Sequence, residues 1–556
     1  MHAQDAKSEE IRELYGEVSA FELKDKLIEL AKEPGKTLLD AGRGNPNWTA
    51  STPRDAFFTF GHFAVEETRR TWAEGNLAGM PKKKGIANRF YSYVESNLGA
   101  PGVELLKEII DYGIKDKGYN ADDWVFELTD AIIGDNYPVP DRMLSHVEQV
   151  VGDYLHQELS YGDYQSNEKF NLFAVEGATA TMCYIFDSLI ANELLHKGDK
   201  IALMVPIFTP YLEIPLLPRY DFDIVKINAC ETNNHGTRTW QYPEEELDKL
   251  KDQDIKAVFV VNPSNPSSVA IKSESINYLT QIVKNDHKEL MIISDDVYGT
   301  FVDDFSSLVG DLAYNTIGVY SFSKYFGVTG WRLGTIALQE NNIFDQKLRE
   351  LPKPLKELVD RRYESLTVNP ESIPFIDRIV ADSRQVALNH TAGLSTPQQI
   401  QMAFFSIFAV LDKQHKYKER TKDICRKRQN LLFDGLGVRV ESNPYGAAYY
   451  TEINILELAF YLKGSDFAEF LQTKYKPIDL ILHLAEKESV VLLNGDAFSS
   501  SEWSIRVSLA NLNDEAYTKI GQALNRMMNV YTAIWREQLN EQEQEERMEE
   551  LALSAV

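Results

Sequence analysis

Between residues 200 and 339 the sequence carries six short apolar runs, separated by stretches of helical periodicity. They are KIALMVP (200–206), DIVKINA (223–229), KAVFVVNP (256–263), ELMIISDD (289–296), NTIGVYSFS (315–323) and GTIALQ (334–339). Each is rich in Val, Ile or Leu and most end on Pro, Asp or Ser, so they read as buried strands. Helical intervals between buried strands imply βαβ units and a mainly parallel sheet. A fold of the α/β class is therefore expected, with chemistry at the strand ends.

The flanking sequence reads differently. Residues 8 to about 33 suggest two amphipathic helices stopped by Pro34-Gly35. Residues 54 to 130 are mostly helical in pattern, with irregular loops at Arg43–Trp48 and Gly134–Pro140. Residues 340 to about 385 are charged and helical, and AGLSTPQQIQMAFFSIFAVLD opens a long apolar helix. RVSLANLN (506–513) reads as extended, and the tail as an acidic helix.

Composition narrows the function. At 556 residues the chain exceeds what one core sustains. A net charge of -26 argues against nucleic acid or an anionic membrane surface as partner. The three cysteines, Cys183, Cys230 and Cys425, have neither metal-ligand nor redox spacing, so no metal is expected and a reduced cytoplasmic setting is the simplest reading. The N-terminus lacks the apolar stretch of a signal peptide, and no run reaches membrane-spanning length.

Several strand ends carry chemistry. Ser321-Phe322-Ser323-Lys324 ends one run and Arg332 follows in GWRLG. A partly desolvated lysine can form a Schiff base, and two hydroxyls with an arginine can hold a phosphate. Asp295 ends ELMIISDD, with Tyr298 three residues on, and a buried carboxylate there can pair with a protonated pyridine nitrogen. Asn265 in VVNPSNPSS can donate to a phenolic oxygen. Glu176-Gly177-Ala178-Thr179-Ala180 opens a helix whose N-terminus suits phosphate. Phe208 in PIFTPY is placed to stack on a ring, and Arg506 in IRVSLANL could grip a carboxylate. Each has a plain alternative: a surface lysine, a strand-end cap, an Asn-Pro turn, core packing for Phe208, a surface ion pair for Arg506.

In order and spacing together, these residues resemble the aspartate aminotransferase superfamily, the type I fold of pyridoxal phosphate enzymes, from about residue 130 to 515. The resemblance implies that Lys324 is the Schiff-base lysine of pyridoxal 5′-phosphate and Asp295 the pyridine-nitrogen partner. Asn265 and Tyr298 would bond the phenolic oxygen. Gly177, Ala178, Thr179, Ser321, Ser323 and Arg332 would form the phosphate cup, and Arg506 would bind the substrate α-carboxylate. It also implies a large cofactor domain with a mainly parallel sheet, a smaller α+β domain and extra helices. The expected division is an N-terminal helical segment with part of the small domain (1–160), the large domain (161–385, with a helical insertion at about 340–385), a long interdomain helix region (386–435) and a small C-terminal domain with an acidic tail (436–556).

The chain is longer than an ordinary member, and Ala41-Gly42-Arg43-Gly44-Asn45-Pro46-Asn47-Trp48 places an arginine where such members tend to have a small or apolar residue. This loop, the long N-terminal region and SFSKYFGVTGWRLG resemble the aspartate 4-decarboxylase family across essentially the whole chain. That resemblance implies conversion of L-aspartate to L-alanine and CO2, a secondary aminotransferase activity, and reactivation by small α-keto acids. A homodimer at minimum, and a higher homo-oligomer, would follow. Arg384, preceding Asn389, is a candidate to hold the distal carboxylate from a neighbouring subunit; on an inserted helix it could equally be a surface arginine. Arg43 either redirects the leaving carboxylate or braces the N-terminal segment. Tyr137 is a candidate to reach the cofactor phosphate. The rival readings are a plain aspartate or aromatic aminotransferase, a lyase that eliminates a β- or γ-group, and a non-catalytic cofactor-binding regulator.

Overall fold

A computed structural model describes residues 20–32, 35–75, 79–161, 169–232, 238–384, 393–440 and 443–554. The first of the two expected N-terminal helices lies largely outside these residues, as does Asn389; the second is Ala20–Ala31.

All six apolar runs form strands, and a seventh precedes them. The strands are β1 (Phe170–Val175), β2 (Lys200–Val205), β3 (Asp223–Asn228), β4 (Ile255–Val261), β5 (Met291–Asp295), β6 (Thr316–Ser321) and β7 (Gly334–Gln339). They make one sheet in the order β1-β7-β6-β5-β4-β2-β3. β7 runs antiparallel to both neighbours, and the remaining pairings are parallel. β5, β6 and β7 are buried at every position, which is why they read as continuous apolar runs.

Helix α1 (Ser51–Ala73) and α2 (Ser145–Leu159) share the large core with this sheet. Helix α3 (Ala178–Ala191) follows β1. The charged stretch after β7 is helical, as expected, and ends in α4 (Phe375–Ser383). The apolar helix expected after it forms. α5 (Thr396–Leu411) stops where the apolar pattern gives way to Asp412-Lys413-Gln414-His415, and His415 turns left-handed (φ 52°) before α6 (Lys416–Leu436) begins.

A second core packs the C-terminal region against Leu23 and Leu27 of the N-terminal helix. It contains an antiparallel sheet of β8 (Tyr450–Asn454), β9 (Leu493–Asn494) and β10 (Ser504–Ser508), with β10 in the middle. Helix α7 (Asp514–Ser554) completes it, packing along α6. A parallel pair, Leu39–Asp40 with Val490–Val491, draws the chain start onto this core and leads into the loop at 41–48.

Candidate active site

The parallel strands β2, β4, β5 and β6 deliver their C-terminal ends to one edge of the sheet, the usual place for ligands in such folds. Asp295 is the last residue of β5, Asn265 follows β4 by four positions, Phe208 follows β2 by three, and Lys324 follows β6 by three. Of these only Asp295 lies within a strand, where a one-residue shift in register would turn its carboxylate to the opposite face.

Asp295 is buried. Its carboxylate accepts from Tyr211 Oη at 2.5 Å and from the Val297 N–H at 3.1 Å. Burial pushes its pKa up to about 6, opposed by these two donors and by the charge of Lys324. Lys324 Nζ donates to the Gly44 carbonyl at 3.0 Å and forms no ion pair among the described residues. The amine is thereby held against backbone, unencumbered by a carboxylate.

Arg506, in the central strand of the small sheet, is 2% exposed. Its Nη1 donates to Asn265 Oδ1 at 3.0 Å and its Nη2 to the Gly42 carbonyl at 2.7 Å. Nε has no partner, and no carboxylate pairs with the guanidinium among the described residues. Burial pulls its pKa below the ordinary value, yet an arginine stays cationic. A buried cation without a counter-ion is costly, and an incoming carboxylate relieves that cost.

The residues expected to form a phosphate cup around Gly177 lie close together. Gly177 caps the N-terminus of α3 with φ 90°. Arg332, itself left-handed (φ 57°), donates to the Glu176 carbonyl at 3.1 Å and to the Thr329 carbonyl at 3.0 Å. A Cβ on Gly177 would lie 2.6 Å from Arg332 Nη2. Ser321 Oγ and Ser323 Oγ are 2.9 Å apart. Ala178 and Thr179 sit in the first turn of α3, whose N–H groups have no intrahelical partners.

The 41–48 loop reaches this site. The Ser508 N–H donates to the Ala41 carbonyl at 2.8 Å, the Asn47 N–H to the Ala510 carbonyl at 2.8 Å, and Trp48 Nε1 to the Tyr325 carbonyl at 3.0 Å. Pinned in this way, the loop offers the Gly42 carbonyl to Arg506 and the Gly44 carbonyl to Lys324. Between them Arg43 extends outward, its side chain 59% exposed, with Nε on Asp40 Oδ2 at 3.0 Å. Its Nη groups have no partner among the described residues.

Two candidates lie elsewhere. Arg384 Nη2 pairs with Asp141 at 2.9 Å, outside the cluster around Lys324. Tyr137 stands 74% exposed in the loop before α2. Phe208 does lie beside the cluster, its ring 5.7 Å from that of Tyr211 and packed on Leu493 and Phe498. Sequence reasoning missed Tyr211, Tyr449, Tyr450 and the two glycine carbonyls. Tyr298 Oη meets Tyr450 Oη at 3.0 Å, and Tyr449 Oη donates to the Gly44 carbonyl at 2.9 Å. The Tyr449-Tyr450 pair at the start of a strand was the one available signal.

This fold and edge-of-sheet site define a type I fold pyridoxal phosphate protein. Residues 171–524 match the model of the aminotransferase class I and II family, and the chain belongs to that family. It is 45% identical over 513 residues to a bifunctional aspartate aminotransferase and L-aspartate beta-decarboxylase of a Pseudomonas species, covering 92% of this chain and 96% of that relative. An aspartate aminotransferase of Pyrococcus horikoshii is 23% identical over 76% of this chain and 90% of its own length. Among solved structures, a Thermus thermophilus aspartate aminotransferase variant superposes with TM-score 0.56 at 16% identity, covering 92% of this chain and 96% of its own. The Rhizobium meliloti aspartate aminotransferase gives the same TM-score at 15% identity, with the same coverage.

Pyridoxal 5′-phosphate is the cofactor of this family, and the residues present fit it. A buried carboxylate, an amine without an ion pair among the described residues, and a helix N-terminus beside an arginine and two hydroxyls are the donor and acceptor types that the pyridine nitrogen, the carbonyl carbon and the phosphate require.

Proposed function

We propose that this protein removes the β-carboxylate of L-aspartate to give L-alanine and CO2, with aminotransferase activity as a secondary reaction. The observation that carries the reading is the 41–48 loop. It touches both Arg506 and Lys324 through glycine carbonyls and carries Arg43 between those two glycines, with its side chain on Asp40 and more than half exposed.

In this reading Arg506 takes the α-carboxylate with its buried fork. Lys324 Nζ removes the Cα proton and returns it later, as a general base and acid. Bound pyridoxal 5′-phosphate supplies an electron sink conjugated with the substrate nitrogen. Asp295 pairs with its ring nitrogen, Asn265 and Tyr298 donate to its phenolic oxygen, and Phe208 covers its face. Gly177, Ala178, Thr179, Ser321, Ser323 and Arg332 hold its phosphate. Arg43 turns the β-carboxylate without neutralising it in a buried pair: its Nε is already committed to Asp40, and more than half its side chain faces water. An anion gripped too firmly would be stabilised in the ground state and leave more slowly.

We also infer a homodimer at minimum, and a higher homo-oligomer, in a cytoplasmic setting. Arg384 and Tyr137 lie on adjoining segments tied by the Arg384–Asp141 pair, and Tyr137 and Val139 point to solvent. This supports their serving a neighbouring subunit's site, Arg384 at the distal carboxylate and Tyr137 at the phosphate. No helix among the described residues is long and apolar enough to cross a membrane.

The experiment is a product assay. Purified protein with pyridoxal 5′-phosphate is given L-aspartate with and without catalytic pyruvate, and Lys324→Ala serves as the blank. Equimolar alanine and CO2 without stoichiometric keto acid is the expected result. Turnover only with a stoichiometric keto-acid acceptor, yielding oxaloacetate, would make the protein a plain aminotransferase and remove the role given to Arg43.

A further inference from the structure

Tyr450 opens β8 and is 2% exposed. It touches both halves of the site at once. Its ring lies 4.4 Å from the Arg506 guanidinium carbon, and Phe498 flanks the same cation at 4.8 Å. Its hydroxyl is 3.0 Å from that of Tyr298. That hydroxyl also occupies the space a side chain on residue 44 would need. A Cβ built on Gly44 would lie 2.4 Å from Tyr450 Oη and 3.4 Å from Lys324 Nζ. One tyrosine therefore spans from the carboxylate-binding arginine to the neighbourhood of the reactive amine.

The direction of the Tyr298–Tyr450 hydrogen bond follows from proton count. Each phenol has one proton. Burial holds the Tyr298 phenol far above its ordinary pKa, so it stays a donor. If its proton goes to the cofactor's phenolic oxygen, Tyr450 must be the donor within the pair. A hydroxyl that accepts one hydrogen bond donates a stronger one, because chained bonds polarise one another. The ring acts separately. Asn265 and Gly42 fix two corners of the Arg506 fork in its plane, and an aromatic face against the guanidinium resists tilting out of it.

We propose that Tyr450 is a positioning residue with two separable roles: its hydroxyl strengthens Tyr298 as a donor to the cofactor, and its ring holds the Arg506 fork for the substrate carboxylate. The inference rests on the roles proposed above for Tyr298 and Arg506.

The test uses full-length, cofactor-loaded enzyme carrying Tyr450→Phe or Tyr450→Leu. The readouts are the pH titration of the holoenzyme's visible absorbance and the KM for L-aspartate. A weaker donor leaves negative charge on the phenolic oxygen less stabilised, which favours the protonated chromophore. The Phe variant should move the titration midpoint upward by about 0.1 to 0.3 pH unit, because losing one chained bond weakens the Tyr298 bond by roughly 10–30% without breaking it, with KM within about threefold of wild type. The Leu variant should show the same shift and a KM raised about tenfold. In a Tyr298→Phe background, adding Tyr450→Phe should shift the midpoint no further, because Tyr450 acts through Tyr298. A Phe variant that titrates like wild type overturns the hydroxyl role. A Leu variant with the KM of the Phe variant overturns the ring role. Lys324→Ala separates the two levels. If the pH-dependent band survives that substitution, the underlying site assignment has failed; if it vanishes while Tyr450→Phe titrates like wild type, only the hydroxyl inference falls.

Discussion

Lys324 Nζ donates to the carbonyl oxygen of Gly44, a residue 280 positions earlier, at 3.0 Å. Two residues before Gly44, the carbonyl of Gly42 takes Arg506 at 2.7 Å. The loop at 41–48 is thus tied to Lys324 and Arg506 through its backbone, while its one charged side chain turns outward onto Asp40. Because carbonyls make these contacts, the residues at 42 and 44 are constrained by space more than by side-chain chemistry.

Gly44→Ala tests that constraint. The new Cβ would lie 2.4 Å from Tyr450 Oη, far inside contact distance, and the hydroxyl sits on a buried ring that cannot swing away. The loop must then retreat and Lys324 loses its acceptor. The expected outcome is a fall in kcat of about tenfold or more, with cofactor content and far-UV circular dichroism unchanged. Steady-state kinetics on L-aspartate checks it.

Arg506→Lys tests the fork. Lysine keeps the charge but cannot reach Asn265, Gly42 and a carboxylate together in one plane. The expected outcome is a KM for L-aspartate raised roughly 10- to 100-fold, the worth of a charge-assisted hydrogen bond. Neighbouring rings of Tyr450 and Phe498 keep the pocket packed, so the thermal midpoint should move little.

Much of this site could be read before any coordinates, because buried strands end abruptly where chemistry begins. MIISD stops at Asp295 and TIGVYS at Ser321, and a polar residue closing an apolar run is visible in one dimension. Strand β1 was not picked out. Its Asn171 interrupts the apolar run and the strand flows directly into the Gly177 turn. Tyr211 was hidden for another reason: three residues past Phe208 it looks like core, and only the turn after Thr209 aims its hydroxyl at Asp295. Tyr450 showed only as half of a Tyr-Tyr pair opening a strand, since its contacts to Tyr298 and Gly44 depend on the small sheet docking against the large one. Arg43 was flagged by its motif, but the motif carried no sign that the flanking carbonyls, and not the arginine, touch Lys324 and Arg506.

Gly177→Ala probes the phosphate cup proposed above. At φ 90° a side chain strains the backbone, and the added Cβ would sit 2.6 Å from Arg332 Nη2. Arg332 must swing away from the helix N-terminus, so charge and backbone donors no longer converge. Titrating apoenzyme with pyridoxal 5′-phosphate should give a dissociation constant about tenfold higher or more. Gly198→Ala, whose Cβ would meet nothing within 4 Å despite φ 86°, separates backbone strain from the clash.

Glu452 ties stability to pH. It is half-buried in β8 opposite Arg506, accepts from Ser500 and Ser504 on one oxygen, and keeps the other oxygen buried without a partner among the described residues. Burial pushes its pKa up to about 7, against an ordinary 4.5, opposed by the two serines and by Arg238. The folded state therefore binds this proton more tightly than the unfolded chain does. Its stabilising contribution is complete below about pH 4.5 and is lost as pH rises through about 7. The shift corresponds to roughly 3 kcal/mol between those limits. Asp296, raised to about 7 by burial, pulls in the same direction, so the slope is shared. Glu452→Gln keeps the serine contacts and removes the titration. The wild-type thermal midpoint should fall between pH 5 and pH 8, and the fall should be clearly smaller in Glu452→Gln, with the variant the more stable of the two at pH 8. Equal falls in both proteins would mean that Glu452 is ionised in the folded state, with its second oxygen reached by a donor or by water.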